Sequence, residues 1–355
     1  MNLPDQYDWL NIDAEKKEDL LLIYKFLYDN YVDDSMFRIH YTIDTLQWFL
    51  TAPGYYKELH VGIKLRETNQ IIGFIAGIPI NLNLYDGIKK ICEINFLCIH
   101  KKFRNKSFAQ ILINEITKRC MEKNIHQAIY TIGKVMNKPF SKTRYWHRIL
   151  NYRKMVEIGF CDNPACIYDG LIFDKYIHYL DTHNPLNKKA MLKNLREMEK
   201  KDVSAVRQLL NNYNKKFAVS IVFDDEEIEH WFLPKTDVVY SYVLEDENKN
   251  PTDFISFYKV KNTVLTSKQY NNYDSANIFY YAINTVEFAV LMNSVLCIAK
   301  KLGFDVFTAC DIMDNNKFLK EKSLNFGAGT GTLHYYFHGQ EQDDLDPSKI
   351  GIPMI

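Results

Sequence analysis

The chain has 355 residues, of which 47% are hydrophobic and 14% aromatic, so it holds enough apolar material for two buried cores. Its 44 Lys and Arg residues balance its 44 Asp and Glu residues, which argues against a general nucleic-acid or anionic-membrane binder. The seven cysteines show no paired C-x-x-C spacing, so they indicate reduced core residues and no metal site. No stretch reaches the roughly 18 apolar residues of a membrane span, and a cytoplasmic protein without integral membrane contact is predicted.

In the first half of the chain, hydrophobic periodicity predicts helices near 16–29 and 42–50, and strands near 61–66, 71–78 and 92–99. A helix from Ser107 and a strand near 128–131 follow. The second half offers helices near 203–212, 226–232 and 286–301, with strands near 238–244, 254–260, 278–283 and 304–310. Polar turns at 68–69 and 248–250 are typical of antiparallel hairpins.

The two halves repeat each other. Trp48-Phe49-Leu50 recurs as Trp231-Phe232-Leu233, and Gly73-Phe74-Ile75-Ala76 has a counterpart in Asp253-Phe254-Ile255-Ser256. The offset is about 180 residues in each case, which predicts two tandem copies of one α/β fold related by a pseudo-twofold axis. A proline and polar residues near Asn184-Pro185-Leu186-Asn187 place the seam there. The predicted domains are therefore residues 1–185 and 186–355.

The most informative stretch runs from Glu93 to Gln110. It passes from an apolar segment of strand length, through a basic turn, into a helix start. Ser107 suits an N-cap, and Gln110 completes a capping-box pattern. Free first-turn amides, the helix dipole and nearby cations would suit a phosphate chain. On pattern alone, a solvated basic loop explains the turn equally well. The four cations are Lys101, Lys102, Arg104 and Lys106.

The segment EINFLCIHK, from Glu93 to Lys101, is similar to the first signature of the N-myristoyltransferases. The residues that follow, KFRNKSFAQILINEITKR, resemble the acyl-CoA phosphate loop and helix of that family. The likeness runs from about Leu3 to Ile355. Other landmarks stand in the family's order: Asn30-Tyr31-Val32, Ala52-Pro53-Gly54, Arg144-Tyr145-Trp146-His147-Arg148, Gly303-Phe304-Asp305 and Asn325-Phe326-Gly327.

The resemblance implies a fold of two acetyltransferase-like (GNAT-like) halves and an enzyme that moves myristoyl from myristoyl-CoA to the N-terminal glycine amine of proteins. A monomer without metal is expected, with one acyl-CoA site per chain, in the first half. In the family, backbone amides that correspond to Phe96 and Leu97 stabilise the oxyanion. An amide can do this only where a bulge releases it from the sheet. The family's base is the C-terminal carboxylate, here that of Ile355. Without the resemblance, the last residues of the chain would be interpreted as a packed or frayed terminus.

The resemblance assigns two further sets of residues by position. Acyl-CoA binding falls on the strand end and the loop after it: Phe96, Leu97, Cys98, Ile99, Arg104, Asn105, Lys106, Ser107, Phe108 and Ala109. Peptide binding falls on four separate places: a loop with Phe37, Ile39 and Tyr41, then Thr131, then Tyr145 and His147, and finally Tyr281, with Thr330 near the end of the chain. A core role explains Tyr281 equally well.

One alternative mechanism and two rival functions stay open at this point. Cys98 and His100 share a strand face and could form a thiol nucleophile with its base, although core packing also explains Cys98 and nothing orients the histidine. Thr330 stands where the family has an aspartate, and the loop at 31–37 is less acidic than the family's. The rival functions are an acyl-CoA N-acyltransferase for small amines and a non-catalytic lipid-binding or peptide-binding protein.

Overall fold

The computed structural model describes residues 3–31, 36–84, 87–104, 106–161 and 191–353. The predicted seam near Asn184 lies outside these ranges. In the first half the helices are α1 (Lys17–Asn30), α2 (Ile43–Leu50), α3 (Phe108–Glu122) and α4 (Tyr152–Glu157). The strands are β1 (Tyr7–Asn11), β2 (Phe37–His40), β3 (His60–Leu65), β4 (Ile71–Leu84), β5 (Gly87–Ile99), β6 (Ala128–Ile132) and β7 (Ser141–Ile149).

The second half repeats this succession. Its helices are α5 (Val203–Asn214), α6 (Asp225–Phe232), α7 (Phe288–Lys301) and α8 (Asn316–Leu319). Its strands are β8 (Leu195–Glu197), β9 (Val219–Ile221), β10 (Val239–Glu245), β11 (Pro251–Val264), β12 (Asn272–Ala282), β13 (Val306–Cys310), β14 (Gly327–His338) and β15 (Ile350–Gly351).

All the described strands belong to one mixed sheet. Its main path runs β1-β3-β4-β5-β6-β14-β7-β13-β12-β11-β10-β8. The antiparallel hairpins predicted between β3 and β4 and between β10 and β11 are present. The pairs β5–β6 and β12–β13 are parallel. The predicted α/β fold with two similar halves is therefore confirmed.

The two halves exchange strands, which the sequence did not indicate. From the first half, β7 pairs with β13 and β14, whereas β14 of the second half pairs with β6. Short strands are exchanged as well, since β2 of the first half pairs with β11 and β9 of the second half pairs with β4. The segment 37–40, expected as a loop, is therefore a strand because β11 offers it an edge. The exchange makes one continuous sheet out of two repeats.

The repeated tryptophans meet where α2 and α6 pack. The Trp48 and Trp231 rings lie 5.0 Å apart in an edge-to-face arrangement. The Trp48 indole donates to the His230 carbonyl at 3.0 Å, and the His230 ring bonds the Trp48 carbonyl at 2.7 Å. These two bonds fix α2 of the first half to α6 of the second half.

The core lies on both faces of the sheet. Along β4, Phe74 and Ala76 belong to the main core cluster, whereas Ile72 and Ile75 pack in a second cluster under α3. An apolar run buried on both faces is typical of a central strand. The buried stripe of α3 has helical spacing and comprises Phe108, Ile111, Leu112, Ile116 and Cys120.

Candidate active site

A β-bulge interrupts β5 near its end. Cys98 pairs with Phe74 and Asn95 pairs with Ala76, so Phe96 and Leu97 both stand opposite Ile75. A bulge leaves its extra residue out of the hydrogen-bond ladder and turns the strand. The sequence resemblance requires a bulge at these two residues.

The bulge is held by aromatic packing. Phe96 has φ of 57°, a left-handed conformation that is unfavourable for a residue with a side chain. Its ring is 3% exposed and lies edge-to-face with Tyr41 at 5.3 Å and with Phe49 at 5.8 Å. Burial of a phenylalanine side chain is worth about 1.5–3 kcal/mol, which offsets the backbone strain. Leu97 is 39% exposed beside it.

Before it reaches the bulge, β5 separates from β6. Within the described residues, the two strands pair only through Cys92 with Ala128 and Glu93 with Ile129. From Ile94 onward the strands have no mutual ladder, so a cleft can open between them. The bulge at Phe96 and Leu97 lies along this unpaired part of β5.

The basic loop follows directly after β5. The segment Lys101–Phe103 forms a 3₁₀ turn, and the Lys106 ammonium lies 5.0 Å from the centre of the Phe103 ring. Arg104 does more than supply charge, because its guanidinium donates to the Ile99 carbonyl at 3.3 Å and to the Asn30 carbonyl at 2.5 Å. The loop is thereby fixed to the C-terminal end of α1.

The predicted capping box at the start of α3 is wrong. Ser107 has φ of 60°, and its side chain makes no capping hydrogen bond. The Gln110 side chain donates to Asn114 at 2.8 Å instead of reaching back to the cap. The orphan N–H groups of that turn therefore receive no bond from Ser107, which favours an anion there.

Tyr145 and His147 extend from one face of β7. Burial raises the pKa of Tyr145 well above its usual value, with smaller effects from Cys310, Tyr335 and Tyr41. The Tyr145 and His147 rings are parallel, with centroids 6.4 Å apart. His147 Nδ1 lies 3.0 Å from the Thr308 hydroxyl, and burial lowers the pKa of His147 to about 4, so the ring is neutral at neutral pH.

Thr330 lies in a second bulge, opposite Tyr145. Ala328 pairs with Trp146 and Thr332 pairs with Arg144, so residues 329–331 all face Tyr145. The Gly329 backbone passes so close to β7 that a Cβ there would lie 2.7 Å from His147 Nε2. Thr330, between Gly329 and Gly331, is exposed.

The predicted peptide residues of β2, and Tyr41 just after it, lie in different environments. Tyr41 contacts Phe96, as described above, and therefore borders the β5 bulge. Phe37 packs edge-to-face on Tyr273 at 5.3 Å, and the ring of Phe160 contacts both Phe37 and His147. Ile39 stands opposite Asn262 of β11.

Thr131 and Tyr281, also predicted to bind the peptide, have other partners. Thr131 stands opposite Tyr335 across the β6–β14 ladder. Tyr281 is 0% exposed, its hydroxyl donates to Asn315 at 2.8 Å, and it accepts the Asp314 amide at 3.0 Å. Tyr281 is thus a buried, hydrogen-bonded core residue, and its contact with a peptide stays a prediction.

Several residues of this cluster were missed or given no role from the sequence. Tyr258 is buried, which raises its pKa well above the usual value, and it interacts electrostatically with Tyr41 and Tyr145. Glu93 accepts from the Asn95 amide at 2.8 Å, and burial raises the pKa of its carboxyl. A carboxylate inside an apolar strand was the only available signal.

The C-terminal tail enters the core as far as it is described. Ile350 and Gly351 pair in parallel with Val219 and Ser220, and Ile352 is 1% exposed. Asn105 and Ile355, both predicted site residues, lie outside the described residues. Among those described, no three His, Cys, Asp or Glu side chains are placed to hold a metal, and no helix could span a membrane. Six cysteines lie within the described residues, and no disulfide joins any two of them: Cys92, Cys98, Cys120, Cys161, Cys297 and Cys310.

The fold has known counterparts. A GCN5-related N-acetyltransferase from Anabaena variabilis aligns over 93% of this chain and 72% of its own with a TM-score of 0.53 and 10% identity, a likeness of fold alone. The N-myristoyltransferase of Saccharomyces cerevisiae with bound myristoyl-CoA aligns over 100% of this chain and 91% of its own, with a TM-score of 0.90 and 30% identity.

Sequence comparisons narrow the class. Residues 1–143 match the N-terminal domain and residues 173–349 the C-terminal domain of myristoyl-CoA:protein N-myristoyltransferase. The glycylpeptide N-tetradecanoyltransferase of Plasmodium falciparum is 41% identical over 99% of this chain and 84% of its own length. The corresponding enzyme 1 of Arabidopsis thaliana is 38% identical over 100% and 80%. The chain therefore belongs to the myristoyl-CoA:protein N-myristoyltransferase family.

Proposed function

We propose that this chain transfers the myristoyl group of myristoyl-CoA to the N-terminal glycine amine of protein substrates. The observation that carries the proposal is the bulge at Phe96 and Leu97, which lies between the basic loop and the cluster around Tyr41 and Tyr145. A thioester whose phosphates bind the loop would bring its carbonyl to the bulge, and a peptide among the tyrosines would bring its amine to the same point.

In the proposed reaction, the glycine nitrogen attacks the thioester carbonyl directly. The C–N bond forms and the oxyanion accepts hydrogen bonds from the Phe96 and Leu97 amides. The C–S bond then breaks, and the nitrogen gives its second proton to the departing thiolate, so that the amide and CoA thiol are released. Before attack the ammonium gives one proton to a base, which we assign to the Ile355 carboxylate. One oxyanion donor is typically worth roughly 2.7–4 kcal/mol of transition-state stabilisation.

Direct attack agrees better with the surroundings of Cys98 than an acyl-enzyme does. Cys98 is 4% exposed and belongs to the main core cluster. His100, its supposed base, accepts the Lys102 amide on Nδ1 at 3.2 Å and contacts the Gln70 side chain at 3.1 Å with Nε2. Both ring nitrogens are thus engaged at the surface, away from a buried thiol.

The deciding experiment mixes the protein with labelled myristoyl-CoA and a peptide that begins with glycine. Amide formation and CoA release are expected, with no product from the same peptide beginning with N-acetylglycine. Labelled product from a small amine alone would favour the rival acyltransferase. Binding of both ligands without any product would favour a non-catalytic protein and would overturn the proposal.

A further inference from the structure

The described part of the C-terminal tail is fixed at two consecutive residues. Gly351 passes so close to β9 that an added Cβ would lie 2.7 Å from the Phe217 ring and 2.9 Å from the Ser220 Cβ. One residue later, the Tyr335 hydroxyl donates to the Ile352 carbonyl at 2.9 Å, in a fully buried environment. The path of the chain at this point is therefore narrowly defined.

Tyr335 connects this point to the candidate active site. It is 0% exposed, stands opposite Thr131 on β6, and contributes to the raised pKa of Tyr145. Tyr335 is also connected to the segment before the tail through Phe140. The Phe140 amide donates to the Tyr335 carbonyl at 3.0 Å, and the Leu345 amide donates to the Phe140 carbonyl at 2.7 Å.

Only three residues separate the anchored Ile352 from the chain end at Ile355. Each residue extends the chain by at most about 3.3–3.6 Å, so the terminal carboxylate lies within roughly 10 Å of this anchor. A hydrogen bond at residue 352 therefore limits the region that the terminal carboxylate can reach.

We propose that Tyr335 is a positioning residue for catalysis: its hydroxyl holds the Ile352 carbonyl and thereby sets the terminal carboxylate against the substrate amine. This inference depends on the proposed role of the carboxylate as base. Because reaction rates are sensitive to displacements of about 1 Å, loss of this one bond should lower kcat measurably without affecting acyl-CoA binding.

The test is a double-mutant cycle between Tyr335→Phe and deletion of Met354 and Ile355. Tyr335→Phe alone should lower kcat roughly 5–100-fold, with an unchanged dissociation constant for myristoyl-CoA. In the deleted protein, the same substitution should have almost no further effect, because the carboxylate it positions is gone. A merely structural role would give the same factor in both backgrounds.

Tyr336→Phe is the matched control. Tyr336 is also buried on β14, but its hydroxyl donates to the Asn137 carbonyl at 3.2 Å, on a different loop. It should lose similar stability while kcat stays within about twofold of the parent. Folding of every variant is checked by thermal unfolding with and without myristoyl-CoA.

The outcomes separate this inference from the proposed function. If the deletion leaves kcat unchanged, the carboxylate is not the base, and both that assignment and the positioning role of Tyr335 are refuted. If the deletion is harmful but Tyr335→Phe is silent, or lowers kcat equally in both backgrounds, only the positioning role is refuted.

Discussion

Converting the terminal carboxylate of Ile355 into an amide should nearly abolish turnover while the protein stays folded. General-base assistance is typically worth roughly 10²–10⁴-fold, so appending a few residues after Ile355 should lower kcat by about that factor. Deleting the last two residues should be as harmful. Each removed residue withdraws the charge by up to about 3.3–3.6 Å, so two residues move it by up to roughly 7 Å.

The structure predicts that these changes spare stability. The pairing of Ile350 and Gly351 with β9, the burial of Ile352 and its bond to Tyr335 all precede the altered residues. The free energy of unfolding should therefore change by less than about 1 kcal/mol. The assay combines steady-state kcat, myristoyl-CoA affinity and thermal unfolding on the same samples.

A fusion to a self-cleaving intein provides an internal control, because cleavage after Ile355 regenerates the native carboxylate. Activity should be low before cleavage and return after it. An uncleaved fusion that is folded, binds myristoyl-CoA and turns over at the parent rate would eliminate Ile355 as the base, and His147 would then become the next residue to test.

Three other predictions use different readouts. Lys106→Ala should raise the dissociation constant of myristoyl-CoA a few fold and weaken its salt dependence, whereas Lys118→Ala on the following helix, α3, should do neither; equal salt responses would make the loop ordinary surface. Cys98→Ala should leave kcat within a few fold, and quenched reactions without peptide should contain no acyl-protein; a trapped thioester on Cys98 would contradict direct attack. Burial lowers the pKa of His60 to about 4. The unfolded chain then binds the proton more readily, so the free energy of unfolding should fall by up to about 3 kcal/mol as the pH drops from 6.5 towards 4, and urea titrations of a His60→Leu variant should lack that part of the slope.

Local periodicity was enough to find the elements around the site. The strand expected near 92–99 is the end of β5, and the apolar stripe after Ser107 is the buried face of α3. Both are long segments whose pattern is decided by burial on one or two faces. Their first residues differ from the expected ones because the ends of a strand or helix depend on hydrogen-bond partners elsewhere in the chain, which local periodicity does not indicate.

The features that the sequence could not reveal depend on strand register and on tertiary contacts. The bulge at Phe96 is a mismatch of register with β4, and it is stabilised by rings from α2 and from the residue after β2. The strand character of Phe37–His40 exists only because β11 lies beside it. The conformation of Ser107 likewise contradicts its intrinsic preference for capping.

The second half shows why a repeat of the fold need not repeat the site. Where the first half has Gly73, which has no side chain, the second has Asp253, a carboxylate that is 0% exposed. Its Oδ1 accepts the amides of Asn284 at 2.7 Å and Thr285 at 3.0 Å, in the loop between β12 and α7. That loop corresponds in the fold to the basic loop between β5 and α3. An internal anion already occupies its N–H groups, and a bound phosphate would have to displace a buried, hydrogen-bonded carboxylate of the same sign. In the first half Gly73 supplies no such carboxylate and the loop adds cations, which is the physical reason to expect a single acyl-CoA site in each chain.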